Sequence, residues 1–218
     1  MSGLEIIHQD ASVIVVNKPS GLLAVPGRGP EMQDCIVNRL KAHCPECIEH
    51  PSVHRLDMDT SGLMVLALTK TAQHHLALQI ERRQVGKIYL AVLDGVIERD
   101  SGEIELAFRL DPDNRPHQIY DPAQGKVGLT RWRKLRVADG CTEVEFTPVT
   151  GRTHQLRLHA AHELGLGCPI VGDRLYGSGT GPGQLKLHAA QLAFDHPETG
   201  ERLRFRCDPR FESRTAGP

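Results

Sequence analysis

An uncharged apolar run, Gly62 to Thr69, is entered directly from a stretch of charged and hydroxyl side chains, His54-Arg55-Leu56-Asp57-Met58-Asp59-Thr60-Ser61-Gly62. The run has the composition of a buried strand. Any fold for this chain must therefore carry an imidazole, a guanidinium, two carboxylates and two hydroxyls to the margin of its core. Such groups are costly there unless they are paired or used. Asp57 beside Arg55 reads as a surface ion pair worth little, and Thr60-Ser61-Gly62 as a turn, unless other parts of the chain converge on them.

The rest of the chain is punctuated into short elements, in keeping with 21 Gly and 14 Pro. Ile6–Ile7 and Val13–Val16 read as a strand pair, broken by Lys18-Pro19-Ser20-Gly21. Cys35 to His43 and Thr71 to Gln84 have helical spacing, and Thr153 to Leu164 predicts a third helix stopped by Gly165 and Gly167. Lys87 to Asp94, Gly102 to Leu110, Val127 to Val137, Cys141 to Val149, Leu185 to Phe194 and Arg202 to Cys207 read as strands, and Asp111 to Gln124 as a Pro-rich excursion. Strands outnumber helices and most connections are short. The fold class expected is α+β, a mainly antiparallel mixed β-sheet flanked by helices and loops.

Composition excludes several classes. Hydrophobic content of 39% and charged content of 24% belong to a globular chain. No apolar run reaches the roughly 18 residues of a membrane span, and there is no basic-then-apolar leader. Six scattered cysteines without an export signal imply reduced thiols and a cytoplasmic protein. Few aromatics argue against a stacking platform for single strands. A net charge of -1 argues, at first sight, against a nucleic-acid partner.

The polar stretch does not stand alone. His54 to Gly62 resembles the HRLDxxTSG signature of the RluA-family pseudouridine synthases. Val16-Asn17-Lys18-Pro19-Ser20-Gly21-Leu22 resembles the first motif of that family, and Lys87-Ile88-Tyr89 its lysine-x-tyrosine strand. Gly151-Arg152-Thr153-His154-Gln155-Leu156-Arg157-Leu158-His159 resembles its GRTHQLRxH segment, and Leu187-His188-Ala189 its closing motif. The motifs fall in family order across nearly the whole chain. The resemblance implies a single catalytic domain over residues 1–218, without the separate N-terminal RNA-binding domain of many relatives, that isomerises uridine in RNA to pseudouridine.

It also implies roles. Asp57 is the essential carboxylate, acting at ribose C1′ or on a ribose proton; a carboxylate suits a bond that breaks through a cationic sugar. Arg157 pairs with Asp57 and keeps it charged. Tyr89 stacks on the target base and is a candidate to receive the C5 proton. Arg55 fills the gap left by a flipped-out uridine, and His54, Thr60, Lys87, Arg152, His154 and Gln155 join it in binding substrate. Asp59 falls at a variable position and reads as a local turn or cap residue. The reaction has no net redox change or hydrolysis, so no cofactor and no metal are expected. The partner is RNA: a tRNA anticodon stem-loop, a hairpin of 23S rRNA, or both, approached by a monomer, with Asn114-Arg115-Pro116 pointing the same way. Rival readings are a non-catalytic RNA-binding module and a hydrolase built on Asp57 and Asp59.

Weaker signals remain. His43-Cys44-Pro45-Glu46-Cys47-Ile48-Glu49-His50 resembles half a zinc site but lacks a separated second ligand pair, and reads as a loop with free thiols. Locally the charge is uneven. Lys126, Arg131, Arg133, Lys134 and Arg136 contain no acid between them, Arg202, Arg204, Arg206 and Arg210 form a second basic group, and Asp94 to Asp121 is acidic. Together with Arg55, Arg152 and Arg157 these bases suggest a cationic cleft.

Overall fold

A computed structural model describes residues 3–211. Among these, the strands are β1 (Glu5–Gln9), β2 (Val13–Lys18), β3 (Ser61–Ala67), β4 (Gly86–Leu93), β5 (Ser101–Leu110), β6 (Gln118–Tyr120), β7 (Lys126–Ala138), β8 (Cys141–Pro148), β9 (Leu187–Asp195) and β10 (Arg202–Arg206). The helices are α1 (Ile36–His43), α2 (Lys70–Glu81) and α3 (Gln155–Ala161). The strands form one sheet in the order β1-β2-β3-β9-β4-β8-β7-β5-β6, with β10 also on β9. Every pairing is antiparallel except β3 with β9. The α+β reading with a mainly antiparallel mixed sheet is what the structure shows.

The apolar runs of β2 and β3 are explained by burial on both faces. Ile14, Val16, Met64 and Leu66 pack with Ile36, Val37 and Leu40 of α1, whereas Val13, Val15, Leu63 and Val65 pack with Ala72 and Leu76 of α2. β9 enters between β3 and β4, although it follows them by many residues. Its parallel contact with β3 sets Ser61 against His188 and Gly62 against Ala189. At that point Gly62 has φ 113°, and an added Cβ would fall 2.4 Å from the carbonyl oxygen of Ala189. Only glycine permits so close an approach with that backbone, so the end of the 54–62 motif is fixed by a steric demand of the sheet.

Element limits shift in three places for local reasons. Thr69 caps α2 by accepting from the Ala72 N–H, and Arg83, at φ 57°, turns the chain out after Glu81. α3 is shorter than its periodicity suggests: His154 is left-handed (φ 57°) at its start, and His162 is extended at its end. The chain then folds back, the Leu166 N–H bonding the His159 carbonyl. β6 lies inside the Pro-rich excursion, and three residues were too few to show a period.

His159 is fully buried, edge-on to Phe108 at 5.7 Å between ring centroids, and neither ring nitrogen has a hydrogen-bond partner among the described residues. Burial pushes its pKa down to about 4, from 6.5 for the free group. Between those values the unfolded chain binds a proton that the folded chain refuses, so stability is lost as pH falls from about 6.5 towards 4, by up to about 3 kcal/mol from this group. His54 and His154, also depressed by burial, act in the same sense. The urea midpoint is expected to fall between pH 7 and pH 5, and to fall less steeply in His159→Phe; an equal slope would refute the assignment.

Candidate active site

Strand order brings the separated motifs together. The loop before β3 carries Asp57, β4 carries Tyr89, and β9 lies between them. β4 and β9 slip register between Ile88 and Tyr89, a bulge that re-aims the side chain beside a site. The 150–155 loop and the start of α3 close the other side. The resulting cleft, of about 740 Å³, is lined by His54, Arg55, Asp57, Thr60, Lys87, Tyr89, Arg152, His154, Gln155 and Arg157 among others, so the residues expected to act in catalysis or substrate binding meet there.

Their bonding states differ. The Asp57 carboxylate makes no hydrogen bond or ion pair with any described residue, while its backbone carbonyl accepts from the Thr60 N–H at 3.1 Å. Tyr89 is buried, and burial followed by the charge of Asp57 pushes its phenol well up, so it stays protonated at neutral pH. His54 accepts the Val65 N–H at Nε2 (3.2 Å), which places the proton of the neutral ring on Nδ1; that atom is buried without a partner. Lys87 lies close enough to act on His54, and burial depresses the pKa of both.

Two expectations are corrected. Arg157 does not pair with Asp57. Its Nε and a terminal nitrogen grip both oxygens of Asp173 at 2.8 and 2.6 Å, with side chains 3% and 0% exposed, and its guanidinium lies over Tyr176 at 5.4 Å. Asp173 needs a cation more than Asp57 does, because it is wholly buried. Burial alone would raise its carboxyl; the bonds and charge of Arg157, with the N–H groups of Leu175 and Tyr176, hold it below the usual value. Asp57 acts on Arg157 only through space. Gln155 offers nothing to a substrate: its oxygen accepts from Thr150 Oγ1 and the Arg152 N–H, and its amide donates to the Leu129 carbonyl and Thr130 Oγ1. All four positions are filled, and the side chain ties the loop to β7.

Asp59 also departs from its expected role as a local cap. It is buried, pairs with Arg174 at 2.8 Å and accepts the Gly183 N–H at 3.4 Å, so it anchors two distant loops. Below it, Lys18 is fully buried and donates to the carbonyls of Pro19, Leu22 and Met58 at 2.7–2.9 Å. Burial pushes its amine down to about 7, against the charges of Asp57 and Asp59.

The basic strands do not line the cleft as expected. Arg131, Arg133, Lys134 and Arg136 of β7 pair with Glu103, Glu145, Asp100 and Glu143, because cross-strand registry sets acids opposite bases. Arg202, Arg206 and Arg210 are likewise paired with Asp195, Asp208 and Glu5. Besides the committed Arg157, the arginines and lysine at the cleft are Arg55, Arg83, Lys87 and Arg152, none of these four in an ion pair among the described residues. The six cysteines are free thiols, and among the described residues no group of three or more His, Cys, Asp or Glu could hold a metal, the 43–50 stretch included.

A family model described as RNA pseudouridylate synthase matches residues 12–162. The chain belongs to that family. It is 42% identical over 210 residues to the dual-specificity RNA pseudouridine synthase RluA of Yersinia pestis, covering 94% of this chain and 99% of that protein. It is 41% identical to the protein of that name from Escherichia coli K12, with 95% and 94% covered. The solved structure titled human RNA pseudouridylate synthase domain containing 1 superposes with a TM-score of 0.74 at 30% identity, covering 95% of this chain and 84% of that one. Among the described residues no helix is long and apolar enough to cross a membrane.

Sequence reasoning missed Asp173, Arg174 and Tyr176, and gave Lys18 no role of its own. One signal was present: Asp173-Arg174-Leu175-Tyr176 is a polar cluster between Gly172 and Gly177, abutting apolar Ile170-Val171, the same contrast that exposed residues 54–62. Asp173→Ala strands a buried guanidinium, so it should destabilise the synthase by about 3–5 kcal/mol, read as a lower urea midpoint. A loss under 1 kcal/mol would show the pair to be dispensable.

Proposed function

We propose that this chain converts specific uridines in structured RNA to pseudouridine, with Asp57 as the reacting carboxylate. The observation that carries the reading is the state of Asp57, an acid on the wall of a cleft with no competing partner while the acids around it, Asp59 and Asp173, are committed to arginines. Breaking the C1′–N1 bond leaves positive character on the ribose and sends the electron pair to the uracil ring. An uncommitted carboxylate can act on C1′, or take a ribose proton, without first breaking an ion pair. The detached ring turns, C5 bonds to C1′, the C5 proton leaves and N1 gains one, so atoms balance with no external reagent.

Tyr89, held as a neutral phenol, is suited to packing against the base rather than to service as a phenolate, which narrows its expected role. Arg55, exposed at the cleft, is placed to occupy the space of a flipped-out uridine. Arg83, Lys87 and Arg152 supply phosphate contacts, His54 and Thr60 line the base pocket, and the 1–218 chain acts as one domain. Every residue invoked lies in one cleft of one chain, which suits a monomer. The RNAs expected are a tRNA anticodon stem-loop and a 23S rRNA hairpin, in the cytoplasm where both reside. The relatives' printed name, dual-specificity, supports two targets.

Tritium release from transcripts bearing [5-³H]uridine measures the reaction. Asp57→Asn is expected to cut it at least ~10³-fold, with RNA affinity and urea midpoint little changed. Retention of a tenth of the activity would exclude Asp57 from the chemistry. Base or sugar released free would instead favour the hydrolase.

A further inference from the structure

His154 stands apart from the other cleft residues in how its proton is placed. It opens α3 with a left-handed backbone, yet its side chain makes no helix-capping bond. A bulky residue held at positive φ stores strain, which persists where the surroundings enforce it. Here the ring is turned to Tyr176, with Nδ1 2.8 Å from the phenolic oxygen. That oxygen also receives the backbone N–H of Gln118, at 2.8 Å, from edge strand β6. A backbone N–H can only donate, so Tyr176 accepts there, and its single proton finds its acceptor at His154 Nδ1. With Nδ1 used as an acceptor, the neutral ring carries its proton on Nε2, which has no protein partner among the described residues and belongs to a side chain lining the cleft.

We infer that His154 is a neutral hydrogen-bond donor whose Nε2–H serves a carbonyl oxygen of the target uracil. This rests on the pseudouridine reading above and names a group for it. When the C1′–N1 bond opens, the uracil ring takes the electron pair and its carbonyl oxygens gain negative charge. A preorganised donor strengthens at that moment and transfers no proton. The groups facing His154 are Asp57, Arg157, Asp173, Tyr176 and His117. Burial, the largest influence, keeps the ring neutral, Arg157 and His117 acting with it and the two acids against. Gln118, Tyr176 and His154 thus form a chain that fixes proton direction from the outermost strand to the cleft, and Gln118 and Tyr176 are positioning residues.

The experiment combines kinetics with a measurement that needs no RNA turnover. In single-turnover tritium release, His154→Phe is expected to slow the chemical step about 10²-fold with RNA affinity within about threefold, as for loss of one such donor. His154→Gln, which keeps an N–H near the same place, should stay within about tenfold of the parent, and Tyr176→Phe should fall between the two. Nitrogen-15 spectra of the free protein, assigned by the signal missing in His154→Gln, should show Nδ1 bare and Nε2 protonated. Equal losses in the Phe and Gln variants, a loss carried by RNA affinity instead of rate, or a protonated Nδ1 would each overturn the inference. A parent protein without activity that still shows the Nε2–H form would sink the functional reading and leave the proton placement standing.

Discussion

The buried pair between Arg157 and Asp173 is the interaction on which the site depends. Taking both charges from water is expensive, and such a pair is tolerable only when every donor and acceptor is met. Asp173 takes two bonds from Arg157 and further bonds from the N–H groups of Leu175 and Tyr176. Those bonds shape the 173–176 turn, and two arms leave it. Arg174 reaches Asp59 and steadies the loop that carries Asp57; Tyr176 reaches His154. One ion pair therefore positions groups on both sides of the cleft, and its worth lies in geometry more than in stability.

The near-zero net charge has a comparable explanation. The acids and bases do not separate into an acidic segment and a basic cleft; they meet across adjacent strands. Glu103 lies opposite Arg131 and Glu145 opposite Arg133 in the register itself, so the basic run of β7 and the acids around it cancel locally. At the cleft, Arg55, Arg83, Lys87 and Arg152 are left without an acid partner among the described residues. Unspecific attraction to a polyanion scales with the number of free cations, so neutrality at the scale of the chain leaves recognition to shape and to a few contacts.

The sequence made legible those features that depend on neighbours along the chain. Both faces of β2 and β3 and the α1 stripe show as local patterns, while the cleft residues were reached through the resemblance of their motifs to those of the family. The pairing of Arg157 did not show, because its partner lies 16 positions away in a turn without periodicity. Nor did the commitment of Gln155, whose bonds run to β7. The same gap hid β6, whose one decisive act is a backbone N–H given to Tyr176, a contact that any residue other than proline could make. Side-chain identity carries no trace of such a bond.

The corrected partnership of Arg157 makes better chemical sense than the expected one. In the reaction proposed for Asp57, whichever course it takes, bonding to C1′ or accepting a proton, its carboxylate loses negative charge. A direct ion pair with Arg157 would have to be given up at that step, leaving a buried guanidinium unpaired at a cost of several kcal/mol. With Asp173 holding the guanidinium, Arg157 keeps its own partner throughout. Its positive charge still reaches Asp57 through space, yet no hydrogen bond must break when that charge is spent. Asp57 can then change state while the scaffold around it does not.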